Sequence, residues 1–235
     1  MSLVFPGFIT NNISGGTPAL TLPTTNLILA LDARSGITTT GSGVSAWADQ
    51  SAAGNDAVQT TDADRPLSAT NATLGAVVRF DSSNTEWMDL SGLTTADGSF
   101  TAYFVYEPTA NTAQQFFLDF SSTRTIVRMR DGSALGYYVN GGYKSGVSLS
   151  LAVQVVRVTV NEGTGVQWHR NGASIATTAY VDAIAPAGGT VDLGKSNVNT
   201  SYLDADVAAI FMYDGAHDAT AAAAVEAYIT QEWGV

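Results

Sequence analysis

Cysteine is missing from this sequence of 235 residues, and charged side chains are scarce. The absence of cysteine excludes disulfides and thiolate metal sites. Charged residues make up only 13% of the chain, and acidic residues outnumber basic ones by 21 to 10, for a net charge of −11. Because such an acidic surface repels phosphates, the composition argues against binding to nucleic acid.

Long apolar runs are also missing, although apolar residues make up 45% of the chain. No stretch approaches the roughly 18 residues of a transmembrane helix, so we expect no membrane insertion. The first residues lack the basic and apolar regions of a signal peptide, which predicts a chain that is made in a cytoplasm and stays soluble. The apolar content is sufficient for the core of one all-β domain of this length.

Apolar residues alternate with others in four segments, Phe100–Tyr106, Phe116–Phe120, Val156–Val160 and Val166–Trp168. A period of two with β-branched and aromatic residues predicts strands. The dipeptide Asn171-Gly172, which follows the last of these segments, predicts a two-residue hairpin turn. Short strands broken at intervals of about ten residues predict a sandwich or a jelly roll.

A helix is predicted at the C-terminus. Asp218 suits the N-cap position, and Gly234 stands where helices commonly end in a left-handed conformation. Apolar residues recur at helical spacing between them, at Ala222, Val225, Ile229 and Trp233. Residues 207–213 before the helix are apolar on both strand faces, so we expect the helix to cover one of them.

Several short segments follow one another in an informative order. They are Leu27–Arg34, Val44–Ser51, Gly54–Ala57, Ala76–Asp81, Val166–Gly172, Val191–Gly194 and Asp204–Asp214. This order resembles bacterial and phage laminin G-like domains of the concanavalin A-like superfamily. The resemblance covers residues 26–235 and implies an all-β jelly-roll sandwich of two antiparallel sheets with a short C-terminal helix. Residues 1–25, rich in Gly, Pro, Thr and Asn, then form an extended arm or linker.

The residue patterns of catalysis are not found. Glucanases with this fold carry acids on alternate positions of one strand, as Glu-x-Asp-x-x-Glu, and no segment here has that pattern. Asp204 and Asp206 share a strand face without a third acid, and we interpret them as a solvated strand start. No Gly-x-Ser-x-Gly motif occurs, and His169 and His217 lack neighbours at metal-ligand spacing. We therefore expect a protein that is not an enzyme.

Acidic and asparagine residues gather between residues 49 and 64. Members of the superfamily often hold Ca²⁺ between loops at the sheet edge, so the resemblance implies a set of calcium ligands. The candidates are Asp49, Asn55, Asp56, Asp62 and Asp64. The alternative is that these side chains cap turns, as Asp and Asn commonly do. Calcium is the one cofactor that the sequence suggests.

The segment Gly136–Lys144 is rich in tyrosine. Exposed aromatic rings stack on sugar faces and amides bind hydroxyl groups, so the segment predicts a glycan-binding site. Its candidate residues are Tyr137, Tyr138, Asn140 and Tyr143. The alternative is half-buried tyrosines on the sandwich surface. We interpret Trp47 and Trp87 as core residues.

Two functions remain open. The first is a structural protein of a phage virion, such as a capsid-decorating or tail-appendage protein, assembled in the host cytoplasm. In that case the apolar tip of the arm packs on capsid proteins or on copies of the chain, through Leu3, Val4, Phe5 and Phe8. The second is an extracellular carbohydrate-binding module that recognises surface glycans, with or without Ca²⁺.

Overall fold

The computed structural model describes residues 19–110, 115–120, 125–130, 134–139, 142–145, 150–179, 190–196 and 201–235. These residues form seventeen β-strands and one α-helix, with short 3-10 turns at Asp62–Asp64 and Ser82–Asn84. The strands and the helix are, in chain order, β1 (Leu27–Asp32), β2 (Ile37–Thr40), β3 (Gly43–Trp47), β4 (Ala57–Val58), β5 (Leu67–Asn71), β6 (Gly75–Phe80), β7 (Met88–Ser91), β8 (Phe100–Pro108), β9 (Gln115–Phe120), β10 (Thr125–Arg130), β11 (Ala134–Val139), β12 (Gly142–Ser145), β13 (Gln154–Asn161), β14 (Gly165–Arg170), β15 (Ala173–Ala179), β16 (Thr190–Leu193), β17 (Ala205–Asp214) and α1 (Ala219–Trp233).

The strands form two antiparallel sheets that pack face to face. Sheet A has the order β15-β14-β13-β8-β17-β6-β5, and β1 also pairs with β17. Sheet B has the order β12-β11-β10-β9-β16-β7-β4-β3-β2. Two stacked antiparallel sheets with one C-terminal helix confirm the predicted all-β, jelly-roll-like sandwich.

The core between the sheets contains most of the residues whose alternation predicted strands. They are Phe100, Ala102, Phe104, Tyr106, Leu118, Phe120, Val156, Val158, Val160, Val166 and Trp168. Strand β9 departs from the predicted alternation, because its pairing with β10 is irregular between Phe116 and Leu118. Phe117 therefore joins the core in place of Phe116, and its ring stacks on Phe104 with 4.5 Å between ring centroids.

The hairpin between β14 and β15 turns at the predicted dipeptide. Asn171 and Gly172 have φ angles of 48° and 76°, and the flanking residues Arg170 and Ala173 pair directly. A two-residue type I′ turn requires positive φ at both central positions, which Asn-Gly adopts at low cost. The predicted hairpin is confirmed.

Helix α1 lies on the outer face of sheet A. It begins at the Asp218 cap, whose side chain accepts a hydrogen bond from the Ala221 N–H at 2.8 Å, and it ends at Gly234 with φ 71°. Its buried residues are the four predicted ones, and three of them pack with Tyr103, Val105, Phe211 and Tyr213 of β8 and β17. Strand β17 is thus covered on both faces. Within the described residues, no helix combines the length and the apolar character that a membrane crossing requires.

Residues 19–25 lie along the domain that follows them. The Leu20 N–H donates to the Gln231 side chain of α1, and Leu22 packs on the apolar cluster beneath the helix. The Tyr213 hydroxyl donates to the carbonyl of Pro23 at 2.9 Å. Contact with the domain therefore begins before the predicted boundary at residue 26. The arm residues Leu3, Val4, Phe5 and Phe8 lie outside the described residues.

Two leucines provide a test of the core. We expect Leu31→Ala to lower the free energy of unfolding by about 2–5 kcal/mol, because Leu31 is fully buried between the sheets. Leu151→Ala removes the same atoms from a residue that is 49% exposed, so its effect should stay within about 0.5 kcal/mol. Urea unfolding measures both values. Equal losses in the two variants would contradict this core.

Candidate functional site

The outer face of sheet B is the side of the sandwich that α1 leaves uncovered. One cross-strand row on this face contains three aspartates, because Asp192 of β16 pairs with Asp119 of β9 and with Asp89 of β7. Directly paired residues of antiparallel strands share a face, with Cβ atoms about 4.5–5.5 Å apart. Three carboxylates from three neighbouring strands therefore lie side by side, and we call them the acidic row.

Alternation along each strand places the acidic row on the outer face. Leu118, Leu193 and Leu90 are next to the three aspartates in sequence, and all three leucines belong to the core between the sheets. Successive residues of a strand point to opposite faces, so the aspartates point away from that core. The acidic row thus lies near the middle of sheet B.

The acidic row is electrostatically costly. Asp119 and Asp192 are only 1% and 2% exposed. Burial raises the pKa of Asp192 to about 6; Lys195 opposes the rise, and the charges of Asp89 and Asp119 add to it. Burial also raises the pKa of Asp89, again against the effect of Lys195. Asp192 therefore changes its charge near pH 6, which ordinary surface aspartates do not do.

Lys195 and Trp87 complete the cluster. The Nζ atom of Lys195 lies 3.8 Å from Oδ2 of Asp192 and 3.1 Å from the centroid of the Trp87 ring. The ammonium group thus makes an ion pair and a cation–π contact at once. Trp87 is half-buried. Its interpretation as a core residue is wrong, whereas Trp47 is fully buried between the sheets as expected.

Backbone geometry fixes the positions of Lys195 and Trp87. Lys195 follows Gly194, which has φ 88° and whose missing Cβ would lie 2.8 Å from the Phe80 ring, so glycine is required there. The Trp87 N–H donates to the carbonyl of Asp64 at 3.1 Å, and its own carbonyl accepts from Nε2 of Gln59 at 3.0 Å. The turn at Gly194 and the anchored loop before β7 therefore bring the ammonium group and the indole together.

The cluster offers three kinds of contact to a ligand. The half-buried Asp89 carboxylate accepts hydrogen bonds, the ammonium group of Lys195 donates them, and the indole of Trp87 presents a flat apolar surface. Asp119 and Asp192 are too deeply buried to contact a ligand and act through their charge. A few polar groups around an aromatic surface are the usual composition of a site for a small polar ligand. Hydroxyl groups on a ring with an apolar face match all three contacts.

The predicted tyrosine site meets the acidic row in the strand register. Position Tyr138 of β11 pairs with Tyr143 of β12 and with Ile126 of β10, which in turn pairs with Asp119. The Tyr138 and Tyr143 positions therefore continue the row of Asp119, Asp192 and Asp89. Position Tyr137 belongs to the neighbouring row, which runs through Val127 to the core residue Leu118. Asn140 lies outside the described residues.

The predicted calcium ligands do not converge on one point. Asp49 accepts four hydrogen bonds, from the N–H groups of Ala30, Ser51 and Asn55 and from the Ser51 hydroxyl, at 2.7–2.8 Å. Asp56 accepts from the Asp49 N–H at 2.8 Å. These contacts support the alternative of turn-capping. Among the described residues, no group of three acidic or histidine side chains is arranged to hold a metal ion.

The side chains of the remaining candidate ligands, Asp62, Asp64 and Asn55, also have partners close to them in the structure. Asp62 pairs with Arg65, and Asp64 accepts from the Thr85 hydroxyl at 3.4 Å. Asn55 donates its side-chain amide to the carbonyl of Ile28 at 2.8 Å. The structure thus assigns each of these side chains a local partner, and the calcium site stays a prediction.

The interpretation of Asp204 and Asp206 as a solvated strand start is wrong, because they are 9% and 2% exposed. Asp204 accepts hydrogen bonds from the N–H and the hydroxyl of Ser82 at 2.7 and 2.8 Å. Asp206 pairs with Arg79 at 2.6 Å. Burial works to raise the pKa of Asp206, but hydrogen bonds from Arg79 and Asn71 outweigh it and hold the pKa below its ordinary value. Both carboxylates thus tie strands together.

The sequence matches no protein-family model and no curated protein sequence. Its fold does match solved structures. The binding domain of Paraclostridial Mosquitocidal Protein 1 aligns with a TM-score of 0.63 and 12% identity, over 89% of this chain and 55% of that one. The botulinum neurotoxin type G receptor binding domain gives 0.62 and 14% identity, over 89% and 54%. This chain spans about half the length of these toxin domains.

This chain spans the full length of a third similar structure. Domain 4 of the GH43 extracellular arabinanase AbnA from Geobacillus stearothermophilus, solved in complex with arabinotriose, aligns with a TM-score of 0.63 and 11% identity. The alignment covers 90% of this chain and 100% of that domain. At such low identity the likeness establishes the fold alone. This chain therefore has the lectin-like β-sandwich fold that these binding domains also have.

The raised pKa of Asp192 predicts a pH effect on stability. Its folded-state pKa of about 6 exceeds the ordinary aspartate value, so the folded state holds the proton more tightly. Its contribution to stability therefore falls as the pH rises from about 4 to about 6. Asp192→Asn cannot titrate and should show less loss of stability over this window than the wild type.

Melting temperatures at about pH 4.5 and about pH 7.5 measure this effect. Asp97→Asn is the matched control, because it removes the same charge at an exposed position. Asp97→Asn should show the same difference in melting temperature between the two pH values as the wild type. If Asp192→Asn also shows that same difference, the raised pKa of Asp192 is contradicted.

Proposed function

We propose that this protein is a non-catalytic carbohydrate-binding domain whose ligand lies on the outer face of sheet B. One observation carries the proposal: the half-buried Trp87 ring, the Lys195 ammonium group and the Asp89 carboxylate meet on the outer face of sheet B, next to the buried Asp119 and Asp192. These groups match the hydroxyls and the apolar face of a sugar ring.

The register supports a site that extends along the sheet. The row of paired positions that contains the acidic row also contains Tyr138 and Tyr143. Neighbouring strands lie about 4.8 Å apart, so such a row spans several strand widths and suits more than one sugar residue. An oligosaccharide or a polysaccharide is therefore the ligand class that we propose.

Burial of the acidic row favours binding over hydrolysis. A retaining glycosidase needs two carboxyl groups about 5 Å apart that both reach the scissile bond, and the acidic row has a comparable spacing. However, Asp119 and Asp192 are only 1% and 2% exposed, so a glycosidic bond does not reach this pair. The low charge content of the surface also suits adhesion to neutral glycans.

The similar structures support the same class of function. They are a binding domain of a mosquitocidal protein, a neurotoxin receptor binding domain, and an arabinanase domain in complex with arabinotriose. Sandwiches of this kind are also used by hydrolases, so the fold by itself does not decide the question. The site chemistry carries the proposal, and the likeness agrees with it.

Trp87 provides the direct test. On a glycan array that includes arabinans and other plant and bacterial polysaccharides, the wild type should bind at least one neutral glycan. Trp87→Ala should weaken that binding about tenfold or more, because buried aromatic contacts carry much of the energy of such interfaces. Trp87→Phe keeps an aromatic surface and should retain most of the affinity. Silence of the wild type across the array would refute the proposal.

The tyrosine positions provide an internal control. Tyr138→Ala and Tyr143→Ala change positions in the row of the aspartates and should weaken binding to the same glycan. Tyr137→Ala changes the neighbouring row and should leave glycan affinity unchanged. Release of reducing sugar from the bound glycan would show catalysis and would contradict the non-catalytic part of the proposal.

The virion role is a second proposal, which comes from the sequence. Because residues 19–25 contact the domain, the informative truncation removes residues 1–18 only. If the arm assembles subunits, the full chain should sediment as an oligomer or attach to capsids, and the truncated chain should sediment as a monomer. Identical behaviour of the two chains would exclude the arm as an assembly element. Thermal melting of both chains checks that the truncated one still folds.

A further inference from the structure

A polar cavity lies on the opposite side of the sandwich from the acidic row. It has a volume of about 250 Å³ and opens between strands β13, β14 and β15 of sheet A and the turn before α1. Its polar lining residues are Thr159, Asn161, Thr164, Gln167, Thr177, His217 and Asp218. Drug-sized ligands occupy roughly 300–1,000 Å³, so this cavity suits a smaller molecule.

The lining is polar but almost without charge. Three threonine hydroxyls and two side-chain amides supply both donors and acceptors. Asp218 is the acidic member, and its carboxylate is engaged in capping α1 through the Ala221 N–H. An anionic ligand would find no opposite charge in this lining, and the only acidic group is engaged in the helix cap, so the cavity favours a neutral ligand with several hydroxyl groups.

His217 is held in one orientation at the cavity wall. Its backbone N–H donates to the Thr101 hydroxyl at 2.8 Å, and its Nδ1 lies 2.9 Å from the Tyr103 hydroxyl. Its ring also packs on Tyr213, with 4.4 Å between the centroids. A residue held by these contacts loses little conformational entropy when a ligand binds, which favours the affinity for that ligand.

The protonation of the His217 ring follows from its partners. Arg157 forms an ion pair with Glu226 at 3.0 Å, and the Tyr103 hydroxyl is the hydrogen-bond partner of Nδ1. That hydroxyl can donate to Nδ1 or accept from it, so a neutral ring is compatible with this contact. Burial, with the charge of Arg157, lowers the pKa of His217 below its ordinary value, although Asp218 opposes this, so the ring is neutral at pH 7.

We propose that this cavity binds one neutral sugar residue, with Thr159, Thr177 and Gln167 bonding its hydroxyl groups and the neutral His217 ring held at its wall. The cavity would be a second binding site, separate from the site on sheet B. A chain with a site on each side of the sandwich would bind a glycan chain along one sheet and a terminal sugar on the other.

Amide chemical shifts of the isotope-labelled full chain test the proposal. The probes are D-galactose, D-glucose, N-acetyl-D-glucosamine and L-arabinose, with anionic N-acetylneuraminic acid for comparison. At least one neutral sugar should saturate, with shifts concentrated at β13, β14, β15 and His217. The anionic sugar should not bind there. Absence of saturable shifts at these strands with every neutral sugar would overturn the proposal.

Variants connect the shifts to the cavity. Thr177→Val keeps the shape and removes one hydroxyl, so it should weaken binding about fivefold, the effect of one lost hydrogen bond. Gln167→Ala should weaken it at least as much. Thr39→Val is the matched control, because Thr39 is exposed on β2 of the other sheet. Unchanged affinity in both Thr177→Val and Gln167→Ala would refute this site.

The Trp87→Ala variant separates the two sites. It should keep the monosaccharide shifts at sheet A while losing the array glycan at sheet B. If wild-type binding to the array persists and no sugar binds the cavity, the proposed function stands and the second site fails. If the cavity binds a sugar and the wild type binds no glycan on the array, the second site stands and the proposed function fails.

Discussion

Strand β17 is enclosed on both edges and on both faces, and the rest of the structure is arranged around it. Strand β8 pairs along one edge, while β6 and β1 share the other edge. On one face Val207, Ile210 and Met212 enter the core between the sheets; on the other, Phe211 and Tyr213 pack beneath α1. Nine of the ten residues of β17 are buried, so the burial of their apolar side chains contributes to the stability of the fold.

This enclosure explains why the two outer faces differ. The residues of β17 that face away from the core are apolar, so sheet A needs α1 as a cover. Sheet B has aspartates at the corresponding outward positions of β7, β9 and β16, and α1 packs on the other sheet. A hydrogen bond joins the two sheets at this point, since the Leu203 N–H donates to the Gly194 carbonyl at 2.8 Å. The position of Lys195 is thereby coupled to the start of β17.

The fold could be predicted from the sequence because its signals are local. The Asn171-Gly172 turn, the caps at Asp218 and Gly234 and the alternation of core residues each depend on neighbours in the chain. The acidic row could not be predicted in this way, because Asp89, Asp119 and Asp192 are far apart in sequence and meet only through strand order. A search for acids along one strand misses acids placed across three. The Trp87 misassignment has the same origin, since its neighbour Met88 is a core residue and Lys195 comes from a distant turn.

The placement of the basic residues argues that the acidic row is a site and not a structural joint. Arg79 bonds Asp206 at 2.6 Å, and Arg34 bonds Asp32 at 2.6 Å, with the planar geometry that suits fixed structural pairs. The acidic row instead has Lys195, a flexible ammonium group at the longer distance of 3.8 Å. Burial and the charges of Asp89 and Asp119 raise the pKa of Asp192 against the effect of Lys195, so ionising Asp192 in the folded protein costs stability. Groups whose pKa is shifted in this way cluster at surfaces that bind something else.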